Sequence, residues 1–195
     1  ETQSLGSASI AINASSGELY VFYSRIPSSN THEQYMVYRK SKNGTNWGNV
    51  SKRFTNGTGS GREYRFVGTN YLSSDIFYAE WGKTSANTLF GHVINESVGI
   101  GGNYYETEKV LDLSVDNLPE APSPGTVFVN STHGYLFYVD DTTNDIRYLN
   151  TTSGGINWSL GEDIAETLSW SDASVWYDRW TPGNSTGNRI HIIAQ

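Results

Sequence analysis

The chain has 195 residues, a formal net charge of −7 and 13% aromatic residues. That length can bury a real core, the aromatic load is the reverse of a disordered composition, and scarce Leu, Ala and Met exclude a helical bundle. No Lys/Arg cluster offers a footprint for nucleic acid, no apolar run approaches the ~18 residues of a membrane span, and the lack of Cys excludes disulfides, thiol chemistry and cysteine-zinc sites. Glu1 reads as the start of a mature or excised segment.

In chain order, runs of alternating aromatic and β-branched residues are bounded by Gly, Asn and Ser, and each predicts a strand. The first unit has strands at Ser9–Asn13, Glu18–Arg25 and Gln34–Lys40. The second has Tyr64–Gly68, Asp75–Trp81 and Thr88–Asn95, and the third has Thr126–Asn130, Gly134–Asp141 and Asp145–Asn150. Each of these three closes with a less regular fourth strand. The last unit offers two, Ser174–Asp178 and Arg189–Gln195. The best helix candidate, Asp163–Leu168, is too short to matter.

The chain therefore reads as all-β, with a repeat of about 50 to 60 residues and four antiparallel strands, the size of a propeller blade. We expect a single β-propeller-type domain over 1–195, with blades near 7–60, 61–120 and 121–170 and a partial one at 171–195. About three and a half blades do not close a ring of ~4–8. Either the chain continues, or another subunit supplies the missing strands. A β-sandwich is the alternative architecture.

One turn carries a signature. Ser41-Lys-Asn-Gly-Thr-Asn-Trp47 and Thr151-Thr-Ser-Gly-Gly-Ile-Asn-Trp158 follow the third strands of units one and three, and both contain Gly-x-Asn-Trp. This resembles the Asp-box (BNR) repeat of sialidase-like β-propellers, Ser/Thr-x-Asp-x-Gly-x-x-Trp. A short polar side chain holds the turn, Gly takes the positive φ, and a buried Trp packs the hairpin onto the blade. The first copy is one residue short and has Asn43 in place of Asp; the second has Ser153. Val93-Ile-Asn-Glu-Ser-Val-Gly99 of unit two lacks the motif.

The resemblance implies a binding face on the side opposite the Asp-box turns. It would receive Arg25, His32, Glu33, Arg62, Arg65, Glu80, Trp81, Lys83, Asp140, Asp141, Asp145, Trp170 and Asp172, with Arg25, Glu80, Trp81, Asp140 and Asp141 as the binding residues; Arg25, Glu80 and Asp140 would all end second strands. A sialidase needs an arginine cluster, a Tyr nucleophile with a Glu partner and an Asp acid. Arg25-Ile-Pro27 has the letters of the family's early motif but follows a second strand instead of opening a first. Tyr64-Arg-Phe-Val67 has the right place and the wrong sequence, and the eight Arg are spread along the chain. No catalytic residues are assigned. His32, His92, His133 and His191 lack ligand spacing, and Asp140-Asp-Thr-Thr-Asn-Asp145 lacks the Gly and Glu of an EF-hand, so neither a metal nor a cofactor is expected. Trp81, Trp176 and Trp180 suit either sugar stacking or interior packing.

Nine Asn-x-Ser/Thr triplets occur, at Asn13, Asn43, Asn49, Asn56, Asn95, Asn130, Asn150, Asn157 and Asn184. Given 17 Asn and 42 Ser/Thr, chance supplies roughly four. The excess points to N-glycosylation and an extracellular or cell-surface chain. On the expected blades the triplets fall on the Asp-box side or the rim, while Asn30, Asn87, Asn117 and Asn144 of the opposite face belong to none. The function expected from the sequence is that of a non-catalytic, glycosylated surface or filament-forming protein. Its partners would be other copies of itself or a surface protein, with glycans as a further candidate, and neither nucleic acid nor membrane insertion. A carbohydrate-binding module or adhesin is the first alternative, and a fragment of a sialidase-like hydrolase the second.

Overall fold

The computed structural model describes residues 5–12, 16–25, 35–48, 52–53, 63–72, 75–83, 87–95, 109–112, 125–140, 143–164, 169–170, 173–180, 182–184 and 186–195. Of residues 5–7, 24–25, 35–37, 52–53, 94–95, 109–112, 180 and the strand residues from 63 to 92, it describes the backbone alone.

Alternating sequence produces strands, and tight turns order them as meanders. β1 (Leu5–Ile12), β2 (Leu19–Arg25), β3 (Tyr35–Ser41) and β4 (Lys52–Arg53) form one four-stranded sheet in sequence order. β5 (Glu63–Leu72), β6 (Asp75–Lys83), β7 (Asn87–Asn95) and β8 (Lys109–Asp112) form a second. β9 (Gly125–Phe128), β10 (Gly134–Val139), β11 (Ile146–Thr151) and β12 (Ser159–Leu160) form a third. β13 (Ala173–Tyr177) pairs with β14 (Ile190–Ala194) in a two-stranded fourth sheet. Every pairing is antiparallel.

Several boundaries differ from the sequence reading: β1 begins at Leu5 where the sequence predicts Ser9, β5 runs to Leu72 where it predicts Gly68, and two others bear on the candidate site. β6 runs on to Lys83, because its hairpin with β5 stays paired from Leu72↔Asp75 to Glu63↔Lys83 and absorbs a bulge between Phe66 and Gly68. Glu80 therefore stands inside β6 and not at its end. β10 stops at Val139, because Asn144 adopts φ 58° and Asp140 N–H donates to the Asp145 carbonyl at 2.9 Å, closing the turn. Of the helix candidate, residues 165–168 lie outside the described residues. One 3₁₀ turn, Asp178–Trp180, follows β13.

The chain divides into two compact units, Glu1–Leu113 with the first two sheets and Ser114–Gln195 with the last two. In the first unit, β1 of one sheet lies against β5 of the other. Alternation sends Tyr20 and Phe22 of β2 to one face, where both are fully buried beside Tyr38. Their rings stand 6.2 Å and 5.4 Å from that of Tyr38. In the second unit, β10 is buried along nearly its whole length. Val127 and Phe137 pack with Tyr177 of β13, and Tyr135, Tyr148, Val175, Ile190 and Ile192 complete the layer between the sheets. Leu136 and Tyr138 point to the other face of β10 and are also fully buried. Each such side chain contributes roughly 1.5–3 kcal/mol.

Candidate functional site

The two ends of the third sheet have different chemistry. At one end lie the tight turns. The Thr151–Trp158 turn is held by Thr151 Oγ1, which accepts from the Ser153 and Gly155 amides at 3.2 and 3.1 Å. Ser153 Oγ accepts from Asn157 N–H at 2.9 Å, and Trp158 Nε1–H donates to the Gly155 carbonyl at 2.9 Å. The shorter turn of the first sheet repeats each role. Ser41 Oγ accepts from Gly44 N–H at 3.0 Å, Asn43 Oδ1 accepts from Asn46 N–H at 2.9 Å, and Trp47 Nε1–H donates to the Gly44 carbonyl at 3.1 Å. Gly44 and Gly155 take φ 73° and 86°, where a Cβ is disfavoured. Asn43 and Ser153 thus do the work expected of the Asp. Both Trp rings are half-buried, against the expectation of full burial, because each indole N–H stays at the turn instead of entering the core. Next to the second of these turns, Asn130 caps the β9–β10 turn, and Gly154 N–H donates to the Thr132 carbonyl at 2.8 Å.

At the other end of the third sheet, the β10–β11 turn gathers charge. Asp140 and Asp145 are both buried. Tyr138 pairs with Arg147 across the strands, so Arg147 shares a sheet face with Asp140. Arg147 Nη1 bonds Asp140 Oδ2, and Arg147 Nε donates to Asp163 Oδ1 at 2.7 Å. Burial alone would lower the Arg147 pKa. The hydrogen bond to Asp163 and the charges of Asp140 and Asp163 outweigh it and hold the guanidinium above its ordinary value. Trp170 N–H donates to the Asn144 carbonyl at 3.0 Å, and its indole nitrogen is a buried donor without a partner among the described residues.

Of the residues read from the sequence, Asp140, Asp145 and Trp170 do meet at this end. Asp140 presents no free carboxylate, since Arg147 and the turn engage it. Arg25 ends β2 opposite Leu5 and Tyr35; Glu80 pairs with Phe66 and Phe90, and Trp81 with Arg65 and Leu89. These three belong to the first unit and Asp140 to the second. Asp141 lies outside the described residues, as do the sequon asparagines Asn13, Asn49 and Asn56. Asn43, Asn130 and Asn157 are exposed turn residues, Asn95 ends β7, Asn150 lies within β11, and Asn184 sits between β13 and β14. Among the described residues no three His, Asp or Glu group as metal ligands, and no helix is long and apolar enough to cross a membrane.

The sequence reading passed over Arg147 and Asp163. Register through the β10–β11 turn could have placed Arg147 beside Asp140, but Asp163 arrives from an irregular stretch with no periodic signal. On the fourth sheet, Trp176 and His191 are direct cross-strand partners whose rings lie 4.7 Å apart and within 10° of parallel. Trp176 is 42% exposed, and Ile193, on the same face, 62%. His191 Nε2 lies 3.7 Å from Asp178 Oδ2.

No protein-family model and no curated protein matches the sequence. Solved structures do match. The NanB sialidase from Streptococcus pneumoniae superposes with a TM-score of 0.67 at 11% identity, over 99% of this chain and 44% of its own. The Hadza microbial sialidase Hz136 gives 0.62 at 9% identity, over 89% of this chain and 36% of its own. A protein of unknown function from Dyadobacter fermentans gives 0.61 at 13% identity, over 100% of this chain and 66% of its own. The chain thus spans less than two thirds of the length of each of these structures. At these identities the likeness is one of fold: an all-β chain of antiparallel sheets of the kind found in sialidase-like β-propellers.

Proposed function

We propose that the chain is a non-catalytic, glycosylated surface module whose sheets are propeller blades, about three and a half of them, and that it works by assembling with further copies of itself outside the cell. The observation that carries this reading is the fourth sheet. Paired β13 and β14 show Trp176, His191 and Ile193 to solvent on one face. Exposed apolar groups on one face mark a surface for contact. The charged groups at the loop end of the third sheet support the same reading. Arg147 is engaged with Asp140 and Asp163, so this guanidinium is not offered to a substrate carboxylate. Sedimentation velocity of the purified chain tests the proposal. Oligomers or polymers are expected, with no turnover of a fluorogenic sialoside. A strictly monomeric chain refutes assembly, and turnover refutes the non-catalytic reading in favour of a sialidase-like hydrolase.

A second reading rests on the Trp176–His191 pair. The Trp176 indole, 42% exposed and stacked on His191, offers an aromatic surface to the apolar face of a pyranose, and two of the solved structures of this fold are sialidases. A carbohydrate-binding module would remain monomeric and bind a glycan array, and Trp176→Ala would abolish that binding.

A further inference from the structure

We propose that Asn43 and Asn130 carry N-linked glycans and that Asn150, though it has the same triplet, does not; the inference rests on the reading of the chain as glycosylated. Both turn asparagines are exposed. Asn43 Oδ1 accepts from the amides of Thr45 and Asn46 at 3.0 and 2.9 Å. Asn130 Oδ1 accepts from the amides of Thr132 and His133 at 2.9 and 2.7 Å, and from Thr132 Oγ1 at 2.9 Å. Each therefore closes an Asx turn onto the Thr of its own triplet. The oxygen does all the structural work, and Nδ2 of each donates to nothing among the described residues.

Glycosylation uses the nitrogen and spares the oxygen. Nδ2 attacks C1 of a sugar activated as a glycosyl diphosphate and gives one proton to a basic group of the transferring enzyme. The C1–O bond breaks, and the diphosphate leaves with the bonding electrons. The amides that donate to Oδ1 stabilise negative charge on that oxygen as Nδ2 gives up its proton. The product keeps Oδ1, one N–H and the turn.

Asn150 differs in its setting. It is paired with Tyr135 on one side and Ser159 on the other and is partly buried. It also lies two residues from Tyr148, hence on the face that packs against the fourth sheet. A sugar is bulky and hydrated and has no room between packed sheets.

The test is site mapping of the full chain secreted from a eukaryotic host. Glycans are released enzymatically in heavy-oxygen water, which marks each formerly modified Asn as labelled Asp in the peptide mass spectrum. Asn43 and Asn130 are expected to be modified in most molecules and Asn150 in few. Thr45→Ala and Thr132→Ala keep the turn amides and remove the hydroxyl of the triplet. Each should lose one glycan, leaving the circular-dichroism spectrum unchanged, and Thr45→Ser should restore it. Secreted protein modified at other triplets but bare at Asn43 and Asn130, or modified at Asn150, overturns this inference alone. Protein with no glycan at any triplet, when a control glycoprotein of the same cells is modified, overturns the glycosylation reading as well.

Discussion

Trp47 and Trp158 occupy the same place in two turns of different length, and their surroundings rank their effects. Each indole donates one hydrogen bond to a glycine carbonyl, but Trp158 also meets the Phe128 ring edge-on at 6.2 Å. Trp47→Ala should cost about 2 kcal/mol and Trp158→Ala about 3, below the top of the range for a fully buried Trp. Equal losses in chemical denaturation would mean that the indole hydrogen bond alone matters. Gly44→Ala meets no steric wall, since its Cβ would sit 3.7 Å from Leu19 Cδ1. Its cost of about 1 kcal/mol is then purely that of the left-handed backbone. Arg147 is the more consequential residue. Arg147→Met leaves Asp140 buried without its cation and should cost about 3 kcal/mol. The Arg147 pKa is raised on folding, so its contribution is complete below the ordinary guanidinium value and is lost only as pH rises through the higher folded value. The gap in melting temperature between wild type and Arg147→Met should therefore be the same at neutral and mildly alkaline pH. A gap that closes across that range would show that another group controls it.

Strands were legible wherever burial imposes alternation. The expected second strands Glu18–Arg25 and Gly134–Asp141 fall within one or two residues of β2 and β10, since an aromatic pattern leaves little choice of register. β4 and β12 were expected as irregular fourth strands, but their positions were not legible. Each has two residues, and Ser159 and Leu160 of β12 are exposed, so no inward face writes a pattern into the sequence. The Asp-box-like turns were readable because a hydroxyl opens each and the glycine and indole stand three residues apart in both. The Arg147–Asp163 bond was not, because its partners are 16 residues apart and Asp163 lies in a stretch without period. Packing between sheets is likewise invisible in sequence. A Cβ built on Gly125 would lie 2.7 Å from Val175 Cβ, so β9 and β13 approach closely only because position 125 lacks a side chain. Gly125→Val should push β13 off the third sheet, lower stability by about 1–3 kcal/mol and speed hydrogen exchange in β13 and β14 first. Uniformly faster exchange through β10 and β11 would place the strain elsewhere.

At the scale of the molecule, the question is what the exposed sheet faces are for. In the first unit, β1 turns Ile10 and Ile12 outward at 55% and 52% exposure, on the face opposite buried Ala11. In the second, β14 exposes Ile193 at 62% beside Trp176. Single exposed apolar residues need no explanation, but alternate residues of one strand, or cross-strand neighbours, make a surface. If either face holds copies of the chain together, a charge placed on it should break the assembly without touching the fold. Ile12→Lys and Ile193→Lys should each shift the sedimentation profile toward monomer, with an unchanged far-ultraviolet spectrum, because neither side chain supports a core. The glycans proposed at Asn43 and Asn130 should make no such difference, since they stand in the tight turns and not on these faces. A double lysine variant that assembles as fully as the wild type would remove these faces from the argument. A wild type that stays monomeric would end the assembly reading and leave the Trp176–His191 platform as the surface to probe with sugars.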